Sequence, residues 1–325
     1  MVDLSLGAKE QFIVDNRIWA IGGGKGGTGK SFVAASLGLH LASLDREVVL
    51  VDVDLGAPNL HTLLGIKASH PDLGDFLTNA VPSLGDVAVE TPFHGLRIVK
   101  GTENILFVAN LNHYKKLRLL RQLRQLPAPN VILDLGTGSS FNTLDFFLSA
   151  NPGIVVTTPD PTAIENTYLF LKSCIMRVLK LYMDHYKIQD LHQRMLDQIE
   201  KNSQSLYGFF KSLMETDRAY GTILYRALRG FRPCLVMNKT RDEHDVLLGR
   251  SVADVVRKYL LVDMKYLGAV PYDDNVLTSL RGLRPYYTDH RDSPAARAIR
   301  QMSEELAYSI EFTLRTPPEI RLPDT

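Results

Sequence analysis

Ten residues near the start of the chain, Gly22-Gly23-Gly24-Lys25-Gly26-Gly27-Thr28-Gly29-Lys30-Ser31, constrain it more than any other feature. The stretch from Gly24 to Ser31 fits the pattern G-x-x-x-x-G-K-[ST], in which glycines let the backbone approach phosphates and aim N–H groups at them. An apolar run, Arg17-Ile18-Trp19-Ala20-Ile21, precedes it, and Phe32 to Ala42 continues it with helical spacing. The phosphates therefore meet a helix N-terminus, where unpaired N–H groups and the helix dipole favour an anion. Gly24, Lys25, Gly26, Gly27, Thr28, Gly29, Lys30, Ser31 and Phe32 are the expected phosphate-binding residues. Lys30 is expected to reach the β/γ-phosphates and the Ser31 hydroxyl to ligate Mg²⁺.

The order of the remaining elements follows from seven short apolar runs: Ile18-Ile21, Val48-Val53, Leu96-Val99, Val131-Leu135, Gly153-Thr158, Cys234-Asn238 and Tyr266-Val270. Each is followed by turn residues and then a helical stretch. Nearly continuous apolar strands joined by helices predict an α/β fold with a mostly parallel twisted sheet covered by helices on both faces. Ligands of such sheets bind at the carboxyl ends of the strands. The whole chain, 1–325, reads as a single domain interrupted by a helical insertion over 177–229, far longer than an ordinary helix–strand connection. Leu191, Met195 and Ile199, then Leu206, Phe209, Phe210 and Leu213, have helical spacing and predict two extra amphipathic helices. That insertion is either a packing elaboration or a docking surface.

Composition excludes several alternatives. With 45% hydrophobic and 22% charged residues the chain is an ordinary soluble globular protein, and a net charge of +1 supplies no global field for nucleic acid, so any DNA contact would be local. The N-terminus lacks the regions of a signal peptide, and no apolar run reaches the roughly 18 residues a membrane span needs. A cytoplasmic protein is expected. Cys174 and Cys234, far apart, are expected to be reduced and buried. The basic helix Lys115 to Arg124 reads as a solvated face or an anionic contact, and prolines 317, 318 and 323 argue against a membrane-inserting C-terminal helix.

Carboxylates then gather at strand ends. Val48 to Asp54 ends in Asp52 and Asp54, two apart and hence on one face, an expensive pairing unless it serves a metal, a lysine or a water. Val131-Ile132-Leu133-Asp134-Leu135-Gly136 is an apolar strand ending in Asp-x-Gly, which suits Asp134 to hold Mg²⁺ through water. In Asn238-Lys239-Thr240-Arg241 the guanine-reading N-K-x-D pattern fails at Arg241, which cannot accept a hydrogen bond, so ATP is favoured.

Lys25 narrows the reading. Lys25 to Ser31 resembles the form KGGxGK[ST] that marks the MinD/ParA group of P-loop ATPases. The resemblance implies catalytic roles for three residues: Lys25 crosses a dimer interface to the other subunit's nucleotide, Asp54 orients the attacking water and Asp52 lies near the Mg²⁺ shell, whose expected ligands are Ser31, Asp52 and Asp134. It further implies that Asn59 is a switch residue at the dimer contact, that Asn238 reads the adenine edge, and that Pro271 and Asp273 belong to the loop packing on the base. Where the group often carries an acid two residues after that Asn, this chain has His61. Leu133 to Asn142, Thr157 to Ala163 and Asp292 to Ala296 look most like the FlhG/FleN branch of flagellar-number regulators. The function implied is a weak, partner-stimulated Mg²⁺-ATPase and ATP-dependent homodimer acting in spatial organisation, recruited to a pole or membrane by a protein partner. The alternative is an ATP-dependent metabolic ligase or amidase of the same superfamily; an iron–sulfur carrier is disfavoured because the chain has no C-x-x-C pair.

Overall fold

A computed structural model describes residues 17–66, 71–102, 111–196 and 206–308. Its strands are β1 (Arg17–Gly22), β2 (Val48–Val53), β3 (Ala88–Glu90), β4 (Leu96–Val99), β5 (Asn130–Leu135), β6 (Gly153–Thr157), β7 (Cys234–Thr240) and β8 (Lys265–Pro271). They form one sheet in the order β3-β4-β2-β5-β1-β6-β7-β8. All neighbours are parallel except β3, which runs antiparallel to β4 along the edge. The seven predicted strands are present. β3 has no counterpart among the predictions, because three residues with only partial burial leave no apolar run to read.

The helices are α1 (Lys30–Ala42), α2 (Leu60–Leu63), α3 (Leu73–Leu77), α4 (His113–Gln125), α5 (Phe141–Leu148), α6 (Pro161–His185), α7 (Gln189–Leu196), α8 (Leu206–Thr216), α9 (Arg218–Gly230), α10 (Glu243–Leu260), α11 (Asn275–Arg281), α12 (Tyr286–Asp289) and α13 (Pro294–Tyr308). Side chains alternate across a strand, so each strand feeds two cores. Trp19, Ile21, Leu50 and Ile132 pack with Val33 and Leu37 of α1 and Ile299 and Leu306 of α13. Ile18, Ala20, Val49, Val51 and Leu133 face the other way, onto Leu119 of α4, Phe146 of α5 and Phe170 of α6.

Residues 177–229 do not begin at a break. α6 runs unbroken from Pro161 to His185, so position 177 lies inside a helix, and three helices follow it among the described residues. Leu191, Met195, Phe209, Phe210, Leu213, Leu224 and Leu228 are buried in the same core as the sheet. The predicted contribution of Ile199 falls outside the described residues. Both cysteines are buried and neither forms a disulfide. No helix among the described residues is long and apolar enough to cross a membrane.

Candidate functional site

The carboxyl ends of β1, β2, β5, β7 and β8 converge on the loop between β1 and α1. Glycine is needed at several points of that loop, among them two that join it to distant segments. A Cβ on Gly24 would lie 2.1 Å from the carbonyl oxygen of Asn166, so the loop rests directly on the backbone of α6. Gly29 has φ +93°, and a Cβ there would meet the Asn238 amide at 2.2 Å. Lys30 and Ser31 then open α1, as the spacing predicts.

Inside this end of the sheet lies a group of buried charges. Asp52 and Asp134 stand opposite each other in the β2–β5 register, and neither is accessible to solvent. Asp52 accepts from the N–H of Asp54 (3.1 Å) through Oδ1 and from the N–H of Leu60 (3.0 Å) through Oδ2, so it also fixes the start of α2. Burial, opposed by those N–H groups, pushes its carboxyl up to about 7. Burial pushes Asp134 well above the usual carboxylate range and Asp52 adds to this, while Ser31 and Lys30 draw it back. Apart from the Ser31 hydroxyl, no group of the described residues pairs with either oxygen of Asp134. Lys30 is buried, and its Nζ donates to the carbonyl of Lys25 at 3.2 Å. Burial lowers the Lys30 pKa, and the carboxylates of Asp134 and Asp54 oppose that shift.

An unpartnered buried carboxylate is costly. Here it lies with a hydroxyl and a second acid, an all-oxygen donor set suited to a hard divalent cation, and the Lys30 ammonium stands near it. The residues fit Mg²⁺: Ser31 and Asp134, with Asp52 behind them, are the groups that would hold it.

A cavity of about 830 Å³ opens in front of these charges. Gly26, Gly27, Gly29, Lys30, Ser31, Phe32, Asp54, Asn59, Asn238, Pro271 and Asp273 line it. Of the other predicted residues, Thr28 lies buried beneath the loop, Asp52 and Asp134 lie behind the wall, and Gly24 packs on α6. Lys25 does not line the cavity; it is half-buried, its Nζ donating to Oγ1 of Thr162 in the first turn of α6 at 2.5 Å. Asp54 Oδ1 accepts from the N–H groups of Gly56 (3.0 Å) and Ala57 (3.1 Å), and a Cβ on Gly136 would press on it at 2.9 Å. Asn238, expected at the base, also donates through Nδ2 to the carbonyl of Thr28 at 2.8 Å.

Several wall residues escaped the sequence reading. Lys239 has φ +61° and donates to the carbonyl of Gly27 at 2.8 Å, so consecutive residues of β7 hold the loop from outside. The dipeptide Asn238-Lys239 was the available signal. Thr137, Leu63, Val276, Leu277 and Leu280 also line the cavity, and only tertiary packing brings them there.

Residues 19–285 match the model of the CobQ/CobB/MinD/ParA nucleotide binding domain. The chain belongs to this family. Within it, the chain is 24% identical over 293 residues to the antiactivator FleN of Pseudomonas aeruginosa, covering 89% of this chain and 86% of that protein. It is 27% identical over 163 residues to the flagellum site-determining protein YlxH of Helicobacter pylori, covering 47% of this chain and 52% of YlxH. Among solved structures, the septum site-determining protein MinD of Pyrococcus horikoshii complexed with Mg-ADP superposes with a TM-score of 0.62 at 22% identity, over 90% of this chain and 96% of that one. The sheet and helix arrangement is thus that of a MinD-like P-loop protein.

Proposed function

We propose that this member of the MinD/ParA family is a Mg²⁺-dependent ATPase of the cytoplasm that works as a dimerising switch in spatial organisation, of a flagellum, a division site or a chromosomal cargo. Two copies close face to face on ATP, hydrolysis parts them, and a protein partner reads and stimulates the closed state. One observation carries the chemistry: Asp134, wholly buried and paired with nothing among the described residues beyond the Ser31 hydroxyl, sits with Asp52 and Lys30 behind a cavity of about 830 Å³. Mg²⁺ held there supplies positive charge against the phosphate oxygens. Lys30 neutralises the β/γ-phosphates. Asp54, fixed by two backbone N–H groups on the cavity wall, orients the attacking water. Lys25, whose Nζ donates to the exposed Thr162, leaves that threonine to reach a second subunit's phosphates. Support for the positioning role comes from relatives described as flagellum and septum site-determining proteins.

Hydrolysis, ATP affinity and molar mass measured together test this. The wild type should form an ATP-dependent dimer that turns over slowly. Lys30→Ala should lose ATP binding, and Lys25→Ala should bind ATP yet stay monomeric. Asp54→Ala should accumulate as a long-lived dimer with turnover reduced ~100-fold, the scale of a lost general base or water-orienting group. ATP binding by Lys30→Ala at wild-type affinity would refute the site, and an ATP-induced dimer of Lys25→Ala would refute its role across the interface.

A further inference from the structure

Two consecutive tyrosines in α12 tie the phosphate helix to the loop after β8. Tyr287 pairs its hydroxyl with Nδ1 of His40 at 2.8 Å, near the end of α1. Tyr286 packs edge-on against Phe32 at 5.4 Å between centroids, at the start of the same helix. The Tyr286 hydroxyl donates to Oδ2 of Asp273 at 2.5 Å and lies 2.6 Å from Oγ of Ser293. Asp273 Oδ1 accepts from the N–H of Asn275 at 2.8 Å, where α11 begins. Phe32 and Asp273 both line the cavity, so Tyr286 bridges its two walls from behind.

We propose that Tyr286 is the positioning residue for base selection: it holds the Asp273 carboxylate as an acceptor for the N6 amine of adenine, at the edge where guanine presents an acceptor instead, so that the site takes adenine over guanine. This rests on the reading of the cavity as an ATP site. A carboxylate can only accept, and adenine presents N6–H₂ on the edge where guanine presents the acceptor O6. Arg241 cannot accept; it stacks on Tyr272, 4.7 Å from the ring centroid. Partial burial works against ionisation of Asp273, but the hydrogen bonds from Tyr286 and Asn275 outweigh it and hold the carboxyl below its usual range. Burial and the same carboxylate keep the Tyr286 phenol protonated, so the hydroxyl remains a donor. Without that donor, Asp273 keeps its bond to Asn275 but is free to turn about it.

Calorimetric titration of the full chain with Mg-ATP, Mg-GTP and inorganic tripolyphosphate separates the possibilities. Tyr286→Phe keeps the ring on Phe32 and removes only the donor. It should weaken ATP about ten-fold, leave tripolyphosphate within two-fold, narrow the ATP:GTP ratio and raise KM without changing kcat by more than two-fold. Asp273→Asn should reproduce the loss, and the double variant should be no worse than either single one. Unchanged ATP affinity in Tyr286→Phe overturns the proposal, as does an equal loss for ATP and tripolyphosphate, which would mark a packing role. A wild type that binds tripolyphosphate but discriminates against no base also overturns it. A wild type that binds no triphosphate removes the ATP reading itself.

Discussion

His40 shows how a single buried side chain makes this protein sensitive to pH away from the nucleotide site. It lies in the last turn of α1, with Tyr287 of α12 on one nitrogen and Glu304 of α13 3.8 Å from the other. Burial lowers its pKa below the usual value; Glu304 opposes this and Arg300, also on α13, adds to it. A histidine that is neutral when folded binds fewer protons than in the unfolded chain. Its stability contribution is therefore present above the unfolded pKa near 6.5 and is lost as pH falls below that value through the depressed folded pKa. Urea unfolding of wild type and His40→Asn at pH 7.5, 6.5 and 5.5 should show a difference in stability that shrinks as pH falls. A constant difference would mean that His40 does not titrate on unfolding. The Asp52 and Asp134 pair carries the opposite shift: burial raises both carboxyls, and Asp52 adds to the rise at Asp134.

At the scale of elements, three helices are pinned by one buried acid. Asp145 of α5 accepts from Lys116 of α4 and forms a two-pronged pair with Arg177 of α6, Nε to Oδ1 at 2.7 Å and Nη2 to Oδ2 at 2.9 Å. The Arg177 guanidinium also stacks over Phe141, 5.0 Å from its centroid. Arg118 of α4 turns inward too, donating to the carbonyls of Phe76 and Pro82 and lying over the Phe76 ring. The helix read from sequence as a basic surface thus spends Lys116 and Arg118 on packing, and keeps Arg121 and Arg124 exposed. Removing one member of a buried ionic group leaves its partners uncompensated, which costs about 3–5 kcal/mol. Asp145→Ala should lose that much in chemical denaturation, whereas Lys116→Met combined with Asp145→Leu should recover part of it. Equal stability of wild type and Asp145→Ala would show that the two cations find water instead.

For the whole molecule, the extra helices are not an appendage. α8 and α9 contribute Phe209, Phe210, Leu213, Leu224 and Leu228 to the core that covers one face of the sheet. Truncating one buried aromatic side chain costs about 3–5 kcal/mol and a buried Leu or Met about 2–5 kcal/mol, and each kcal/mol shifts Tm by roughly 1–2 °C in a chain of this size. Replacing residues 187–217 with a glycine–serine linker should therefore lower Tm by at least ~15 °C in calorimetry, or prevent folding. A shortened protein that melts within a few degrees of wild type would show that α6 and α9 repack without α7 and α8.

Sequence alone determined what depends on local pattern. Glycines and Lys30-Ser31 between an apolar run and a helical one specify strand, phosphate loop and helix, because both periodicities and the glycine backbone are local properties. The strand-end acids Asp52, Asp54 and Asp134 were legible for the same reason. Tertiary structure decided everything that joins distant segments: the edge strand β3, the clip of Asn238 and Lys239 on the loop carbonyls, the inward turn of Lys116, and the bridge from Phe32 through Tyr286 to Asp273. Periodicity records which side of an element is buried, not against what. Those partners are fixed only when the sheet order brings β1, β7 and β8 side by side around β6 and seats α12 against α1.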